Sequence, residues 1–300
     1  MKTSIIDDIK GFYRSSDIVI RLIVINISVF VFINLIQLPF FLSNTAFPFK
    51  LLKWFGVPAD LFELLLKPWT LITYMFTQEG VFHILFNMLM LYWGGMIFKE
   101  YLGAKRLLST YLTGGIAGAV LFILAYNIFP VFNDVKSLTF TIGASASVLA
   151  VFIAIATYLP NYSISLILFG PVRLKFIAIA MVILDLINMQ KGNSGGHIAH
   201  LGGAIYGFLF AKNLQQGRNL GIYTEKILDW LTKLFDKKPK IKVVYSNPEF
   251  KKEKNTNSGN LSAKERQKRM DEILDKISKS GYDSLSKEEK EILFDMSKKI

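Results

Sequence analysis

Cysteine is absent from the 300-residue chain, so a disulfide framework, a thiolate nucleophile and a zinc ribbon are all excluded, and cysteine usage leaves the redox compartment undetermined. Histidine is nearly absent as well, with only His83, His197 and His200. Acids are few: 23 Asp and Glu stand against 35 Lys and Arg, a formal net charge of +12. Charged residues make up 19% of the chain, whereas 52% is hydrophobic and 14% aromatic, and the mean hydropathy is +0.37. So little charge in so long a chain excludes an ordinary soluble domain and reads as a polytopic membrane protein with a polar tail. Much of the basic excess follows Ala211, beside Asp and Glu on expected helices. It therefore reads as a tail plus positive-inside bias, and no nucleic-acid partner is expected.

What is present in quantity is apolar sequence in spans. The N-terminal segment is basic, with Ile5, Ile6, Ile9, Phe12 and Tyr13 spaced as one helical face, and suggests a short interfacial helix on the cytoplasmic side. A first span over about Val19 to Leu42 is long enough to cross a ~30 Å hydrocarbon core and too long for a signal-peptide core. Ser43 to Gly80 is a long connection rich in Trp, Phe and Leu, broken by Pro48, Pro58 and Pro68, and reads as a lateral element lying at the bilayer interface. Further spans are expected over about Phe82–Phe98, Leu107–Phe129, Thr141–Leu159, Leu174–Met189 and Gly196–Lys212. Basic residues at Lys99, Lys105, Arg106, Arg173 and Lys175 put the intervening turns on the cytoplasmic side. Pro160 to Arg173 reads as a short connection.

Small residues recur every four positions: Ala146, Ala150 and Ala154 on the fourth span, and Ala199, Gly203, Gly207 and Ala211 on the sixth. Such stripes let two membrane helices approach backbone to backbone. Beyond Lys212, Ile227, Leu228, Leu231, Leu234 and Phe235 form the apolar face of a juxtamembrane helix. A polar linker over Lys237–Asn260 follows. Two capping boxes, Ser262 with Glu265 and Ser286 with Glu289, predict a C-terminal helical hairpin packed through Met270, Ile273, Leu274, Ile277, Leu285, Ile292, Leu293 and Met296.

With the N-terminus inside, even-numbered spans begin on the outer side. His83, Ser145 and His200 each stand near such a beginning and so share one leaflet. Polar groups at that depth are costly and face the bundle interior or a water-filled cavity. Nucleophilic catalysis needs a hydroxyl, a base and oxyanion donors. Ser145, His200, and His83 with Asn87 fill those roles. Ser147 is a rival nucleophile, since residues two apart on a helix point about 200° apart and only one can face His200; spacing alone leaves the choice open. A serine here is also what plain helix packing would use. Three imidazoles could ligate zinc, but no carboxylate or thiol accompanies them at that depth in this reading, so no metal is expected.

His83-Ile84-Leu85-Phe86-Asn87, Gly143-Ala144-Ser145 and Ala199-His200-Leu201-Gly202-Gly203-Ala204 together resemble the three signatures of the rhomboid intramembrane serine proteases, in order, on spans two, four and six. The resemblance covers about Trp69 to Ala211. It implies an all-α, six-transmembrane-helix rhomboid-like bundle with a small cytoplasmic helical tail. It also implies Ser145 as nucleophile, His200 as base of a Ser-His dyad without an acid, and His83, Asn87 and the Ser145 amide around the oxyanion. Gly143, Gly203 and Gly207 would support the helix packing. Neither metal nor other cofactor is implied.

The family implies transmembrane protein substrates cleaved in or near the bilayer; the alternative is a non-catalytic rhomboid-like protein that binds or escorts membrane helices. Three positions depart from the usual pattern: Ala146 stands for Gly, Thr70 for Arg, and Leu149 for an aromatic. The tail from Ile273 to Ser286 resembles a domain appended to bacterial rhomboids of the Bacteroidetes type, which implies a bacterial inner membrane and cytoplasmic termini. The expected division is an interfacial segment over 1–18, the membrane domain over 19–212, helix and linker over 213–260, and the hairpin over 261–300, through which self-association or a partner protein would act.

Overall fold

The computed structural model describes residues 16–45, 51–166, 170–190, 192–235 and 263–297. The expected interfacial helix before Ser16, the linker and the Ser262 cap lie outside them. Contacts divide the chain into two units, Met1–Asp236 and Lys237–Ile300.

Helix α1 (Ile18–Leu42) opens the first unit, with Asp17 as its N-cap accepting from the Val19 amide. Three short helices follow, α2 (Leu51–Phe55), α3 (Leu61–Leu66) and α4 (Thr70–Thr73). They expose Trp54, Leu61, Phe62, Leu65, Leu66 and Trp69, as suits a segment lying against lipid. Trp54 and Trp69 stack at 6.2 Å, and the Trp69 indole donates to the Trp54 carbonyl. Helices α5 (Val81–Leu102) and α6 (Ala104–Ile128) are joined by Gly103 alone. Its φ of +89° is a conformation glycine adopts without a Cβ clash.

Strand β1 (Val57–Pro58) pairs antiparallel with β2 (Phe140–Thr141), tying the lateral segment to the chain just before helix α7 (Ser145–Tyr158). Next comes a small hairpin of β3 (Ser163–Leu166) and β4 (Gly170–Arg173), where the sequence suggested only a connection. Helices α8 (Leu174–Asn188), α9 (Ser194–Gln215) and α10 (Ile222–Phe235) complete the unit.

The result is an all-α membrane bundle. Helices α1, α5 and α6 are long and apolar enough to cross a bilayer outright. Helix α7 is shorter and forms the centre, buried at every position from Ala146 to Ala156, with α5, α6, α8 and α9 packed around it. Close packing there comes from missing side chains. A Cβ at Gly114 would stand 2.2 Å from the Ala150 Cβ, and one at Gly207 would stand 2.3 Å from the Ala150 carbonyl oxygen. Neither helix could approach so near with larger residues.

In the second unit, α11 (Ala263–Ser280) and α12 (Lys287–Ser297) form the hairpin. The Ser286–Glu289 capping box is made: Glu289 accepts from the Ser286 amide at 2.7 Å, and Ser286 Oγ accepts from the Glu289 amide at 3.2 Å. Ile273 and Leu285 are buried, but Leu274, expected in the core, is exposed.

Candidate active site

The beginnings of α5, α7 and α9 and the end of α8 meet at one end of the bundle. His83 is the third residue of α5, Ser145 the first of α7, and His200 the seventh of α9. His200 Nε2 lies 2.6 Å from Ser145 Oγ. Ser145 and His200 are half-buried and His83 is exposed, so the pair is reachable from outside the protein. Ser147 takes the opposite direction: it is fully buried, and its hydroxyl faces Gly115 and Met75 without a hydrogen-bond partner among the described residues.

Gly143 sets the approach to Ser145. Its φ is +133° and its amide donates to the Tyr74 carbonyl, a conformation that disfavours any L side chain. A Cβ there would stand 3.1 Å from His83 Cε1 and 3.3 Å from Ser145 Oγ. Glycine therefore leaves open the space that those groups share. The amides of Ser145, Ala146 and Ser147 in the first turn of α7 have no intrahelical acceptor, and no side chain caps them. Donors and the positive end of the helix dipole thus stand beside the nucleophile.

Asn87 is held in a buried chain of amides. Its Nδ2 donates to Gln78 Oε1 at 2.8 Å, Gln78 Nε2 donates to Asn26 Oδ1 at 3.0 Å, and Asn26 Nδ2 reaches the Tyr111 hydroxyl at 3.2 Å. One Asn87 N–H remains outside that chain.

One residue of this end was missed as part of the site. Asp185, the single acid of α8, is buried at 8% exposure. Its Oδ1 lies 2.7 Å from His200 Nδ1 and 2.8 Å from His197 Nδ1. The expectation that no carboxylate accompanies the histidines at this depth is thereby corrected. A sequence signal existed: α8 and α9 form an antiparallel pair with a short turn, so residues equidistant from its centre face each other. Asp185 and His197 stand six residues either side of position 191.

All of these groups except Asn26 fall within the stretch that matches the Rhomboid domain, residues 66–216, just over half of the chain. The chain belongs to the rhomboid family. Among similar proteins, RHOMBOID-like protein 12, mitochondrial, of Arabidopsis thaliana is 28% identical over 212 residues, 67% of this chain and 60% of the relative. Presenilin-associated rhomboid-like protein A, mitochondrial, of Danio rerio is 30% identical over 136 residues, 44% of this chain and 34% of the relative. The chain therefore spans less than two thirds of the length of either relative. Residues 259–299 match a family of unknown function (DUF6576).

Two of the three positions that depart from the family resemblance, Ala146 and Thr70, have local explanations. The Ala146 methyl points at α6, where a Cβ on Gly118 would stand 2.7 Å from it, so it fills a helix contact. Thr70 is buried and donates from Oγ1 to the Lys67 carbonyl at 2.7 Å, fixing the turn into α4. Leu149 is buried within the core.

Proposed function

We propose that this rhomboid is an intramembrane serine endopeptidase acting on transmembrane or membrane-proximal segments of other proteins. The observation that carries the reading is the 2.6 Å contact of Ser145 Oγ with His200 Nε2, beside a glycine-cleared space and an uncapped helix start. Ser145 Oγ attacks the peptide carbonyl while His200 Nε2 takes its proton. The developing oxyanion draws on the Ser145 amide, on His83 across Gly143, and on the remaining Asn87 N–H. Collapse breaks the C–N bond as His200 returns the proton to the leaving amine. Water then attacks the acyl-enzyme by the same base, releasing the second product and restoring Ser145. The partial exposure of Ser145 and His200 supplies the water access this requires.

The protein is a multi-pass membrane protein, and we place it in a bacterial cytoplasmic membrane with both termini cytoplasmic and the site toward the outer face. In support, Lys99, Lys105, Arg106, Arg173, Lys175 and Lys212 gather at helix ends opposite the site, as positive-inside bias requires. The tail unit then acts on the cytoplasmic side, by self-association or through a partner protein, with domain limits near 18, 212 and 260.

The test is labelling by a serine-directed fluorophosphonate together with cleavage of a panel of membrane-anchored substrates. Labelling and cleavage that disappear in Ser145→Ala support the protease. Intact protein that stays unlabelled beside a reactive rhomboid control rejects it in favour of a non-catalytic helix binder.

A further inference from the structure

A carboxylate buried in a membrane bundle is costly unless donors satisfy it, and Asp185 is satisfied by two imidazoles on one oxygen. For Oδ1 to accept from both, each Nδ1 must carry a proton. A neutral His200 with its proton on Nδ1 has its lone pair on Nε2, the nitrogen that faces Ser145. The other tautomer would turn an N–H toward the serine and could not take its proton.

The same three groups could hold a metal ion. Zinc ligands at about 2.0–2.1 Å in a tetrahedron stand roughly 3.3 Å from one another, whereas the two nitrogen–oxygen distances here are 2.7 and 2.8 Å. Those are hydrogen-bond lengths. A metal on His200 Nδ1 would also leave the proton on Nε2 and disable the base.

We propose that Asp185 is the positioning residue of the base, so that Ser145, His200 and Asp185 work as a three-residue unit, with His197 a second donor that anchors the carboxylate. This rests on the protease reading above. During the reaction the proton moves from Ser145 Oγ to His200 Nε2 and on to the leaving amine. Asp185 stays ionised throughout, accepting from Nδ1–H and offsetting the positive imidazolium. The role belongs to this chain's α8–α9 pair and goes beyond a Ser-His dyad.

The test uses full-length protein in proteoliposomes, as wild type, Asp185→Asn, Asp185→Glu and His197→Gln. Four readouts are taken: kcat and KM on a membrane-anchored substrate, fluorophosphonate labelling rate, thermal unfolding, and imidazole tautomers from spectra of 15N-histidine protein. Asp185→Asn is expected to lower kcat and labelling by about 10²–10⁴-fold with KM and melting temperature little changed. Asp185→Glu should restore part of kcat, and His197→Gln should lower kcat less than Asp185→Asn does, since the carboxylate loses one of its two donors while His200 keeps its own bond to Asp185.

An unchanged kcat in a well-folded Asp185→Asn protein overturns the proposal. So does a loss that only parallels a fall in stability, or activity that a chelator removes and zinc restores. If wild type neither labels nor cleaves while His200 still shows the Nδ1–H form, and Asp185→Asn abolishes that form, the protease reading falls and the positioning of His200 by Asp185 stands.

Discussion

Gly203 of α9 lies directly on the backbone of Ala146 in α7: a Cβ at Gly203 would stand 2.1 Å from the Ala146 carbonyl oxygen. The contact is one residue past the nucleophile on one helix and three past the base on the other. The packing that closes the bundle is therefore the packing that brings His200 to Ser145. Gly203→Ala should push α9 outward, at about 1–3 kcal/mol of stability for an overpacked core, and separate base from nucleophile. The expected result is loss of fluorophosphonate labelling in protein that still elutes as a folded species. Gly207→Ala, one turn further on, should destabilise comparably while labelling falls less. Equal labelling in Gly203→Ala and wild type contradicts the link.

The two serines of α7 should separate cleanly. Ser147 is buried with a hydroxyl that has no partner among the described residues, and such a group costs on the order of 1–3 kcal/mol. Ser147→Ala should thus keep cleavage and labelling and match or exceed wild-type melting temperature. Ser145→Ala should remove both activities. Loss of activity in Ser147→Ala with unchanged melting would mean that the wrong hydroxyl has been assigned.

This contrast shows what the sequence could and could not yield. Hydropathy was enough for the helices, because a bilayer demands long apolar segments with internally bonded backbones. Spacing puts Ser145 and Ser147 on opposite faces without choosing between them; the choice comes from the family resemblance, and Ser145 is the serine whose hydroxyl lies within hydrogen-bond reach of His200. Asp185 stands in the sequence as the lone acid of an apolar span, and its symmetric placement opposite His197 gains meaning only once α8 turns back into α9. The β3–β4 hairpin was missed for a similar reason. The alternation in Ser163-Ile164-Ser165-Leu166 is short, and its partner strand holds Gly170-Pro171, which reads as a turn. Gln78 gives no signal at all, since an amide in a loop looks solvated until the helices that carry Asn26 and Asn87 meet around it.

That glutamine carries the next prediction. Gln78 is fully buried and bridges Asn26 of α1 to Asn87 of α5. Gln78→Met, close in shape, leaves Asn87 and Asn26 each short of one bond, at about 1–3 kcal/mol per unsatisfied group. Thermal unfolding in detergent should show the loss. Because Asn87 is released from its tether, kcat should fall more than KM rises. A variant with wild-type melting and wild-type kcat would show that the amide chain neither stabilises the bundle nor orients Asn87.

A pH effect is expected at the other end of the bundle. The Asp17 carboxylate caps α1 through the Val19 amide and pairs with Lys99 at the end of α5. Burial by itself would raise its pKa, but the hydrogen bond from Lys99, the Val19 amide and the charge of Lys99 outweigh burial and hold it below the ordinary carboxylate value. A depressed carboxylate pKa means that the folded state binds the proton less readily than the unfolded one. The stabilisation is therefore fully present above the unfolded pKa, and is lost as pH falls through the folded one. Asp17→Asn keeps a capping oxygen while removing the charge, so its melting-temperature deficit against wild type isolates the ion pair. That deficit should be constant from pH 7 down to about pH 5 and shrink toward zero below the ordinary carboxylate range near 3.9. Subtracting the variant removes the contribution of Asp185, which titrates in both proteins. A deficit that stays constant into strong acid would show that Asp17 holds α1 to α5 by shape and capping alone, without its charge.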